Sequence, residues 1–354
     1  MSLVFDHVTL GQRVLFGSGK AAENLAAEVA RLDARKVMVI ASESKAAVAA
    51  HVARKISVAL DYDDVAPHVP IEKAEKARAA ASAHGIDLLV CVGGGSTTGL
   101  AKAIALTTGL PIIAVPTTYA GSEATNVWGL TEAARKTTGI DDRVLPVTVV
   151  YDAELTLSMP ADLSVASGLN ALAHCVDSMW GPRMDPINQA LAAEGIRALN
   201  RGLPQVKQDP SGLAGREQAL YGAYLAAVAF ASAGSGMHHK ICHVLGGTWN
   251  MPHAQTHATV LPYVLAFNAP EAPDAAARIA AAFGTEDAVE GLNRLRATLD
   301  APKALKDYGF TEDNIAEAVD IILPVIPASN PRQPTRENLA ELLRAATAGT
   351  TRDR

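Results

Sequence analysis

The chain has 354 residues, of which 49% are hydrophobic and 19% are charged, as expected for a compact protein large enough for two domains. The formal net charge is −6, from 31 basic and 37 acidic residues, and no basic cluster stands out, which argues against nucleic-acid binding. The three cysteines show no disulfide or zinc-knuckle spacing, so we expect a reducing, cytoplasmic location.

No membrane attachment is expected from the sequence. The N-terminus lacks the basic and apolar regions of a signal peptide. The longest uncharged stretch, Gln218 to His238, is rich in Ala, Gly and Ser, which partition poorly into lipid. We predict that it forms a helix buried inside the protein.

The first part of the chain alternates predicted strands and helices. Near-continuous apolar strands separated by helices indicate a parallel sheet covered on both faces. Strands are predicted in VTLGQRVLFG, KVMVIAS, IDLLVCVGGGS and PIIAVPTT, and helices over Lys20–Arg31, Glu43–Ser57, Ala74–His84 and Ser96–Thr108.

The pattern changes near residue 155, after the strand VTVVYD, and only helical periodicity follows. We therefore predict an α/β domain over residues 1–155 and an all-α domain over residues 156–354. The predicted helices are Ala161–Trp180, Asp185–Leu199, Leu213–Ala233, His238–Leu245, Asp274–Ala282, Ala288–Asp300, Thr311–Leu323 and Thr335–Ala348.

Two polar loops follow neighbouring predicted strands of the α/β domain. The first is Gly93-Gly94-Gly95-Ser96, which enters a helix and lets backbone N–H groups approach a phosphate. It matches neither the G-x-G-x-x-G pattern nor a Walker A loop, so a simple strand–helix turn stays open. The second is PTTYAGSE, residues 116–123. Two such loops at the carboxyl ends of adjacent strands favour a nucleotide site.

Two pairs of polar residues lie four apart in the helical domain, so each pair lies on one face of a helix. Asn170 and His174 form the first pair, and His239 and His243 form the second. Half of the ten histidines lie between residues 238 and 257, namely His238, His239, His243, His253 and His257. This clustering favours a functional site over scattered packing roles.

Together these motifs resemble the iron-containing alcohol dehydrogenase superfamily over nearly the whole chain. The matching motifs are GGGS-x3-L-A-K, PTT-x2-GSE, N-x3-H, and H-x3-H-x2-G followed by PH. GGGSTTGLAKA, PTTYAGSEAT and GLNALAHCVDSMW resemble the maleylacetate reductase branch in particular. The resemblance implies a Rossmann-like dinucleotide-binding domain, a helical catalytic domain of the dehydroquinate synthase-like fold and an active site in the cleft between them. It also implies a homodimer.

The resemblance further implies NADH or NADPH as cofactor. Ser42 follows the second strand, where many relatives carry an Asp or Gly that selects the cofactor, and Glu43 is next to it. Neutral Ser42 would not repel a 2′-phosphate whereas Glu43 could, so both cofactors stay open. Another departure is Gly99, where many relatives have Asp. The cofactor contacts implied are Ser42, Gly93, Gly94, Gly95, Ser96, Thr97, Thr117, Thr118, Ser122, Lys136 and Leu155.

The metal site of the family is altered. His174, His239 and His253 match the metal-binding histidines, but Asn170 replaces the usual Asp, and an amide is a weaker, uncharged ligand. Three imidazoles can still bind zinc, so these three histidines are the expected ligands of any metal that binds. We expect that no metal is required.

We therefore predict reduction of the conjugated C=C bond of maleylacetate to give 3-oxoadipate in aromatic-compound degradation. Hydride addition to the alkene carbon places charge on the ketone oxygen, which hydrogen-bond donors and a general acid can stabilise without metal. The predicted catalytic residues are His243, His253, His174, His239 and Asn170. The substrate is a small dicarboxylate, for which Lys240, His238, His257 and Arg332 are candidate cationic partners.

Three other functions stay open. The first is a metal-dependent alcohol or aldehyde dehydrogenase in which Asn170 is a ligand. The second is a lyase like the related dehydroquinate synthases. The third is a binding protein that retains the fold without catalysis.

Overall fold

The computed structural model describes residues 4–132 and 135–350, with the side chains at positions 135 and 136 outside the described set. The chain forms two compact units, Leu10–Met159 and Pro160–Arg354, and the segment ending at Thr9 belongs to the second. This division lies four residues after the predicted domain boundary at 155/156. The predicted fold class, an α/β part followed by an all-α part, is confirmed.

The α/β unit is built on a six-stranded sheet, order β1-β8-β5-β4-β2-β3, in which every pair is parallel. A two-stranded antiparallel hairpin, β6 and β7, stands beside it. The strands are β1 Arg13–Phe16, β2 Val37–Ile40, β3 Val58–Tyr62, β4 Leu88–Gly93, β5 Ile112–Pro116, β6 Val127–Glu132, β7 Arg135–Ile140 and β8 Thr148–Tyr151. The helices of this unit are α1 Ala21–Arg31, α2 Ala46–Ala53, α3 Ile71–Ala83 and α4 Gly95–Thr108.

Strands β4 and β5 are buried along their whole length, because the apolar runs LLVCV and IIAV supply side chains to both faces of the sheet. On β4, Leu89 and Cys91 pack into one core, whereas Leu88, Val90 and Val92 pack into the core on the opposite face. This alternation follows from the two-residue period of a strand.

The direction in which successive strands are added to the sheet reverses between β2 and β4. From β2 the chain goes outward to the edge strand β3, and then returns to β4 and β5 on the other side of β2. The carboxyl ends of β2 and β4 therefore flank a topological switch point, which is where open α/β sheets bind ligands.

The second unit contains nine described helices. Helix α5 is its central element, since 15 of its 18 residues are buried. It contacts α6, α7, α8 and α9. The helices are α5 Ala161–Ser178, α6 Pro186–Gln208, α7 Leu213–Ala233, α8 Met237–Trp249, α9 His253–Asn268, α10 Pro273–Phe283, α11 Ala288–Leu299, α12 Ile315–Ile322 and α13 Arg336–Ala348.

The structure corrects three local predictions. Strand β3 and the β6–β7 hairpin were not predicted, because their half-polar sequences lack the continuous apolar runs of β4 and β5. No strand occurs in described residues 4–12, where VTLGQ predicted one, since this segment crosses into the helical unit. The predicted helix Gln218–His238 is broken at Gly234, which has a φ of 84°.

Among the described helices, none is by itself long and apolar enough to cross a bilayer. Helices α7 and α8 reach that length and hydropathy only together, and they are bent by 98° at the break between them.

Candidate active site

A pocket of about 280 Å³ lies in the α/β unit at the carboxyl ends of the central strands. Its walls are Ser42 and Lys45 after β2, residues 65–67 after β3, residues 94–97 after β4, and Thr117 and Thr118 after β5. The two polar loops predicted from the sequence therefore line one pocket, at the switch point of the sheet.

The glycine loop fits closely against its neighbours. A Cβ atom at Gly93 would lie 2.5 Å from Thr97 Oγ1, so a larger residue there would displace the first turn of α4. A Cβ at Gly94 would lie 3.1 Å from Thr118 Cγ2, at the wall of the pocket. The missing side chains leave backbone at the pocket surface, where N–H groups and the N-terminus of α4 suit an anionic phosphate. The Thr117 hydroxyl is buried without a partner among the described residues, and so is available to a ligand.

Most of the predicted cofactor residues are brought together at this pocket. Ser42, Thr97 and the loop residues 94–96 line it, and Gly93 ends the strand that leads to it. Ser122 and Leu155 are not among its described lining residues, and Leu155 packs against the core of the sheet. Lys136 lies on β7, but its side chain is outside the described residues.

The lysine of the GGGS-x3-L-A-K motif, Lys102, is buried and has a structural role. Lys102 is 1% exposed, and its ammonium group donates to the backbone carbonyls of Thr125 and Val127 at 2.8 Å and to Thr125 Oγ1 at 3.0 Å. Burial lowers the pKa of Lys102 to about 7. This side chain fastens α4 to the segment that follows the PTT loop.

In the helical unit, three helices bring the predicted catalytic residues together. The His174 ring on α5 stacks on the His239 ring on α8, with centroids 4.8 Å apart and planes 14° apart. His243 lies one turn further along α8, 5.9 Å from His239. On α9, the His257 centroid lies 4.8 Å from that of His239 and 4.4 Å from that of His253. We call His174, His238, His239, His243, His253 and His257 the imidazole cluster.

The imidazole cluster has a buried floor and an exposed rim. His174 is 8% exposed and His239 is 1% exposed, whereas His243 and His253 are exposed. Burial lowers the pKa of His174 to about 3, with a smaller contribution from His253, and lowers the pKa of His239 well below its usual value. The floor imidazoles are therefore neutral near pH 7, whereas the two rim histidines are exposed to solvent.

Asp177 sets the orientation of His239. Its buried carboxylate accepts N–H bonds from the backbone of Gly236 and His239 at 3.1 Å and from His238 at 3.3 Å. It also accepts a 2.7 Å hydrogen bond from Nδ1 of the His239 ring. Burial raises the pKa of Asp177 to about 7, against the lowering effect of these donors. With Nδ1 protonated towards Asp177, neutral His239 presents the lone pair of Nε2 on its other side.

Gly236 makes this arrangement possible. A Cβ atom at position 236 would lie 2.6 Å from Asp177 Oδ1, so only glycine lets the start of α8 approach the carboxylate. The break between α7 and α8 thus positions the donors that hold Asp177.

Three buried side-chain atoms of Asn170, His174 and His239 lack a hydrogen-bond partner in the described part of the chain. Asn170 Oδ1, His174 Nδ1 and His239 Nε2 are buried and have no partner among the described residues. Two imidazoles and an amide oxygen are possible metal ligands. None of them is negatively charged, and the Asp177 carboxylate already accepts hydrogen bonds from N–H groups. This donor set fits a tightly bound divalent metal poorly.

A second group of ligand atoms lies behind the first. His238 Nε2 is 3.0 Å from His257 Nδ1, and Cys242 Sγ is 3.6 Å from His238 Nε2. Within residues 4–132 and 135–350, these three side chains form a set whose ligand atoms all lie within 4.8 Å of one another. They also form a hydrogen-bonded chain, which is the simpler explanation of their contacts.

The candidate cationic partners of the substrate carboxylates differ in burial and in their contacts. His238 and His257 are fully buried, and burial lowers the pKa of His238 to about 3, which argues against a cationic role. The Arg332 guanidinium lies 4.5 Å from the centroid of the Phe267 ring. Lys240, on α8, is partly exposed.

Sequence reasoning missed Asp177 and Lys45. Asp177 lies seven residues after Asn170 and three after His174, so helical spacing alone places all three on one face of α5. Lys45 lies three residues after Ser42, but only the short helical turn Glu43–Lys45 brings it to the pocket.

Comparisons with known proteins agree with this architecture. Residues 11–153 match the iron-containing alcohol dehydrogenase family, and residues 164–347 match the C-terminal part of the Fe-containing alcohol dehydrogenase family. The maleylacetate reductase of Sphingobium indicum is 43% identical over 352 residues, which cover 99% of this chain and 98% of that protein.

Two solved structures are similar over nearly their full length. An iron-containing alcohol dehydrogenase from Corynebacterium glutamicum superposes with a TM-score of 0.97 at 67% identity, covering 98% of both chains. Maleylacetate reductase from Agrobacterium tumefaciens superposes with a TM-score of 0.94 at 38% identity, covering 98% of this chain and 99% of that one. The resemblance inferred from the motifs is therefore confirmed, and the chain belongs to the iron-containing alcohol dehydrogenase family.

Proposed function

We propose that this oxidoreductase reduces the conjugated C=C bond of maleylacetate to give 3-oxoadipate, with NADH or NADPH as reductant and without a required metal. The full-length similarity to maleylacetate reductases supports the substrate. The observation that carries the chemistry is the imidazole cluster together with Asn170, because an amide and the neutral floor histidines supply no negative charge to a metal. The exposed rim supplies histidines able to exchange protons.

A nicotinamide cofactor, which supplies a hydride when bound, fits the pocket of the α/β unit. The glycine loop offers backbone N–H groups, and Thr117 offers an unpartnered hydroxyl. In the described lining of the pocket, Lys45 is the charged residue, and its sign suits a phosphate-containing ligand.

The substrate chemistry matches neutral donors better than a Lewis acid. Hydride addition to the alkene carbon distant from the ketone moves an electron pair onto the ketone oxygen and forms an enolate. The enolate then takes a proton at the carbon next to the ketone, which completes reduction of the C=C bond. Such a reaction needs hydrogen-bond donors at the oxygen and one general acid, each a role for side chains.

We assign these roles by exposure and hydrogen bonding. The Asn170 side chain is uncharged, and its NH₂ group is the hydrogen-bond donor that we assign to the ketone oxygen. His174, four residues later on the same helix, contributes a neutral imidazole. His239, held by Asp177, keeps the floor in place with a fixed tautomer. His243 and His253 are the two candidates for the general acid, because they alone among the five predicted catalytic residues are exposed.

The test is to follow oxidation of NADH and of NADPH with maleylacetate before and after exhaustive chelation, with bound metal measured on the same samples. We expect steady cofactor consumption that chelation leaves unchanged. Full loss of activity on chelation, restored by Fe²⁺ or Zn²⁺, would contradict the metal-free reaction.

One observation favours a second function, a metal-dependent alcohol or aldehyde dehydrogenase. A carboxylate that accepts a hydrogen bond from one ring nitrogen commonly orients a histidine whose other nitrogen binds metal, and Asp177 does this to His239. Activity on simple alcohols with NAD⁺, in preference to maleylacetate with NADH, would establish this alternative.

We also propose a cytoplasmic homodimer. Three buried free cysteines suit a reducing compartment. Light scattering on the purified protein would measure the mass, and a monomer would contradict the proposed assembly.

A further inference from the structure

We propose that His257 is a further catalytic residue, which donates a hydrogen bond from Nε2 to the ketone oxygen of maleylacetate as that oxygen becomes negatively charged. His238 is the positioning residue that sets where the His257 ring carries its proton. The inference rests on the proposed function for the identity of the substrate. His257 keeps its proton throughout, because the general acid supplies the proton that reaches carbon.

His257 lies in the middle of the imidazole cluster. Its ring centroid lies 4.4 Å from that of His253, 4.8 Å from that of His239, 4.9 Å from that of His238 and 6.3 Å from that of His243. His257 is fully buried, whereas His253, one helical turn earlier on α9, is exposed. The His257 ring therefore connects the buried floor of the cluster to its exposed rim.

One nitrogen of the His257 ring is hydrogen-bonded inside the protein. His257 Nδ1 lies 3.0 Å from His238 Nε2. A hydrogen bond between two neutral imidazoles needs one N–H and one lone pair, so one ring donates and the other accepts. If His257 donates, its Nε2 carries a lone pair, and an N–H is left at His238 Nδ1. If His238 donates, the remaining N–H is at His257 Nε2.

The second arrangement is the one that a bound substrate can complete. His238 Nδ1 and His257 Nε2 are both buried, and neither has a partner among the described residues. A buried N–H without an acceptor is costly, so a ligand that accepts it is favoured. The His238 ring contacts the buried rings of His239 and His257, whereas His257 also contacts exposed His253. A ligand that enters from the rim therefore meets the His257 ring before the His238 ring.

The neighbouring floor histidine cannot supply this donor. His239 uses its Nδ1–H towards Asp177, so its Nε2 presents a lone pair. His257, with its centroid 4.8 Å away, presents an N–H instead. Preorganised donors at the oxygen that gains charge are what stabilise such an intermediate. The His257 N–H therefore adds a second uncharged donor to the Asn170 amide.

The first test observes the proton itself and needs no turnover. Long-range proton–nitrogen correlation spectra of isotopically labelled protein distinguish an imidazole protonated at Nε2 from one protonated at Nδ1, and the His257→Gln spectrum assigns the His257 signals. We expect the His257 proton on Nε2. We also expect it to shift downfield when maleylacetate binds with NAD⁺, a combination that cannot turn over. A proton on Nδ1 would overturn the proposal.

The second test separates hydrogen-bond donation from packing. His257→Leu should lower kcat with maleylacetate by about 10²–10³-fold, as loss of one oxyanion donor does, and leave the dissociation constant of NADH unchanged. His257→Gln restores an N–H donor and should recover part of the lost rate. His238→Leu should also lower kcat, and His238→Gln should recover part of it. His84→Leu, at an exposed histidine that follows α3, is the control.

The outcomes separate this inference from the proposed function. A wild-type kcat in His257→Leu would overturn the role of His257 and leave the proposed reaction standing. A wild-type protein that oxidises neither NADH nor NADPH with maleylacetate would overturn the proposed function, and with it the substrate named for His257. If His257→Leu fails to fold, the proton position on the wild-type ring decides the question.

Discussion

The buried amide of Asn170 lies one helical turn before His174, where the family resemblance predicts an Asp. Its Oδ1 has no hydrogen-bond partner among the described residues, and burial lowers the pKa of His174, one turn later, to about 3. An amide can be buried there at modest cost, whereas an unpaired carboxylate cannot. We therefore propose that Asn170 lowers the affinity of the cluster for a cation.

Asn170→Asp tests that interpretation. Without metal, the variant should unfold at a lower temperature, because a carboxylate 2% exposed at this site would be buried without a charged partner. With Zn²⁺, it should bind at least about tenfold more tightly than the wild type, since charge-assisted contacts are roughly twice as strong as neutral ones. Calorimetry and thermal melts with and without Zn²⁺ measure both effects. An unchanged zinc affinity would show that the histidine ligand atoms do not converge on one point.

His243→Gln and His253→Gln test the division into floor and rim. Glutamine keeps a polar side chain but cannot exchange protons near pH 7, so loss of the general acid should lower kcat by about 10²–10⁴-fold. KM should change much less. Steady-state kinetics with maleylacetate provide the measurement, and His51→Gln on α2, an exposed histidine of the α/β unit, is the control. If both variants retain at least a third of the wild-type kcat, the proton donor lies elsewhere.

For single residues, the sequence indicated which side chains form the site but not their protonation state or exposure. The pairs Asn170/His174 and His239/His243 indicated one site because helical spacing places them on common faces. That His174 is neutral and His243 exposed follows only from burial, which no local pattern specifies.

The elements that carry the cluster are held by close helix packing, most visibly between α6 and α7. Glycines seven residues apart occur on both helices, Gly195 and Gly202 on α6 and Gly215 and Gly222 on α7. A Cβ at Gly202 would lie 2.8 Å from the carbonyl oxygen of Gly215, and a Cβ at Gly222 would lie 3.1 Å from that of Gly195. The two backbones therefore approach directly, in antiparallel pairs of glycines.

Gly202→Ala should destabilise the protein by about 1–3 kcal/mol, because overpacking against backbone outweighs the gain in helix propensity. The added Cβ would lie 2.7 Å from the backbone nitrogen of Ala219, which cannot move away like a side chain. Gly247→Ala on α8 is the control, since nothing lies within 4 Å of its Cβ position, and it should be neutral or gain up to about 1 kcal/mol. Urea unfolding followed by circular dichroism measures both. Equal stabilisation by the two changes would contradict close packing at Gly202.

The glycine spacing is visible in the sequence, yet it does not identify its partner. Which glycine on α7 meets which glycine on α6 depends on the crossing of the two helices. The same holds for Gly236, because the side chain that leaves no room for a Cβ atom there belongs to Asp177 on another helix.

On the scale of the whole molecule, the N-terminal segment belongs to the helical unit although the sequence placed it with the sheet. His7 Nδ1 lies 2.8 Å from Asp185 Oδ2, and Asp185 also caps α6 by accepting from the backbone of Ile187 and Asn188. The Asp185 carboxylate therefore links the N-terminus of α6 to His7, which lies 178 positions earlier in the chain.

Stability should depend on pH through Asp185. Burial raises its pKa, but His7 and the two capping N–H groups outweigh burial and leave the pKa below the usual value of 3.8. A depressed carboxyl pKa contributes stability above about pH 4, which is lost as the pH falls through the lower, folded-state value. Asp185→Asn should cost about 1–3 kcal/mol at pH 7, by leaving donors unpaired, and the cost should shrink towards pH 3.

Urea unfolding of the wild type and of Asp185→Asn between pH 3 and pH 7 measures this effect. Asp274→Asn, an exposed acid in the first turn of α10, is the control and should follow the wild type throughout. A cost independent of pH would show that Asp185 acts through its shape and not through its charge.

The sequence by itself determined the two-part architecture, the glycine and PTT loops and the clustered histidines, because strand and helix periods and short-range turn chemistry are local properties. Tertiary structure alone decided what depends on distant neighbours. It brought Lys45 to the pocket beside Ser42, gave the buried histidines their neutral state and placed Asp177 behind His239. These features arise from burial and from contacts between helices far apart in the chain, which a single sequence does not encode in any local pattern.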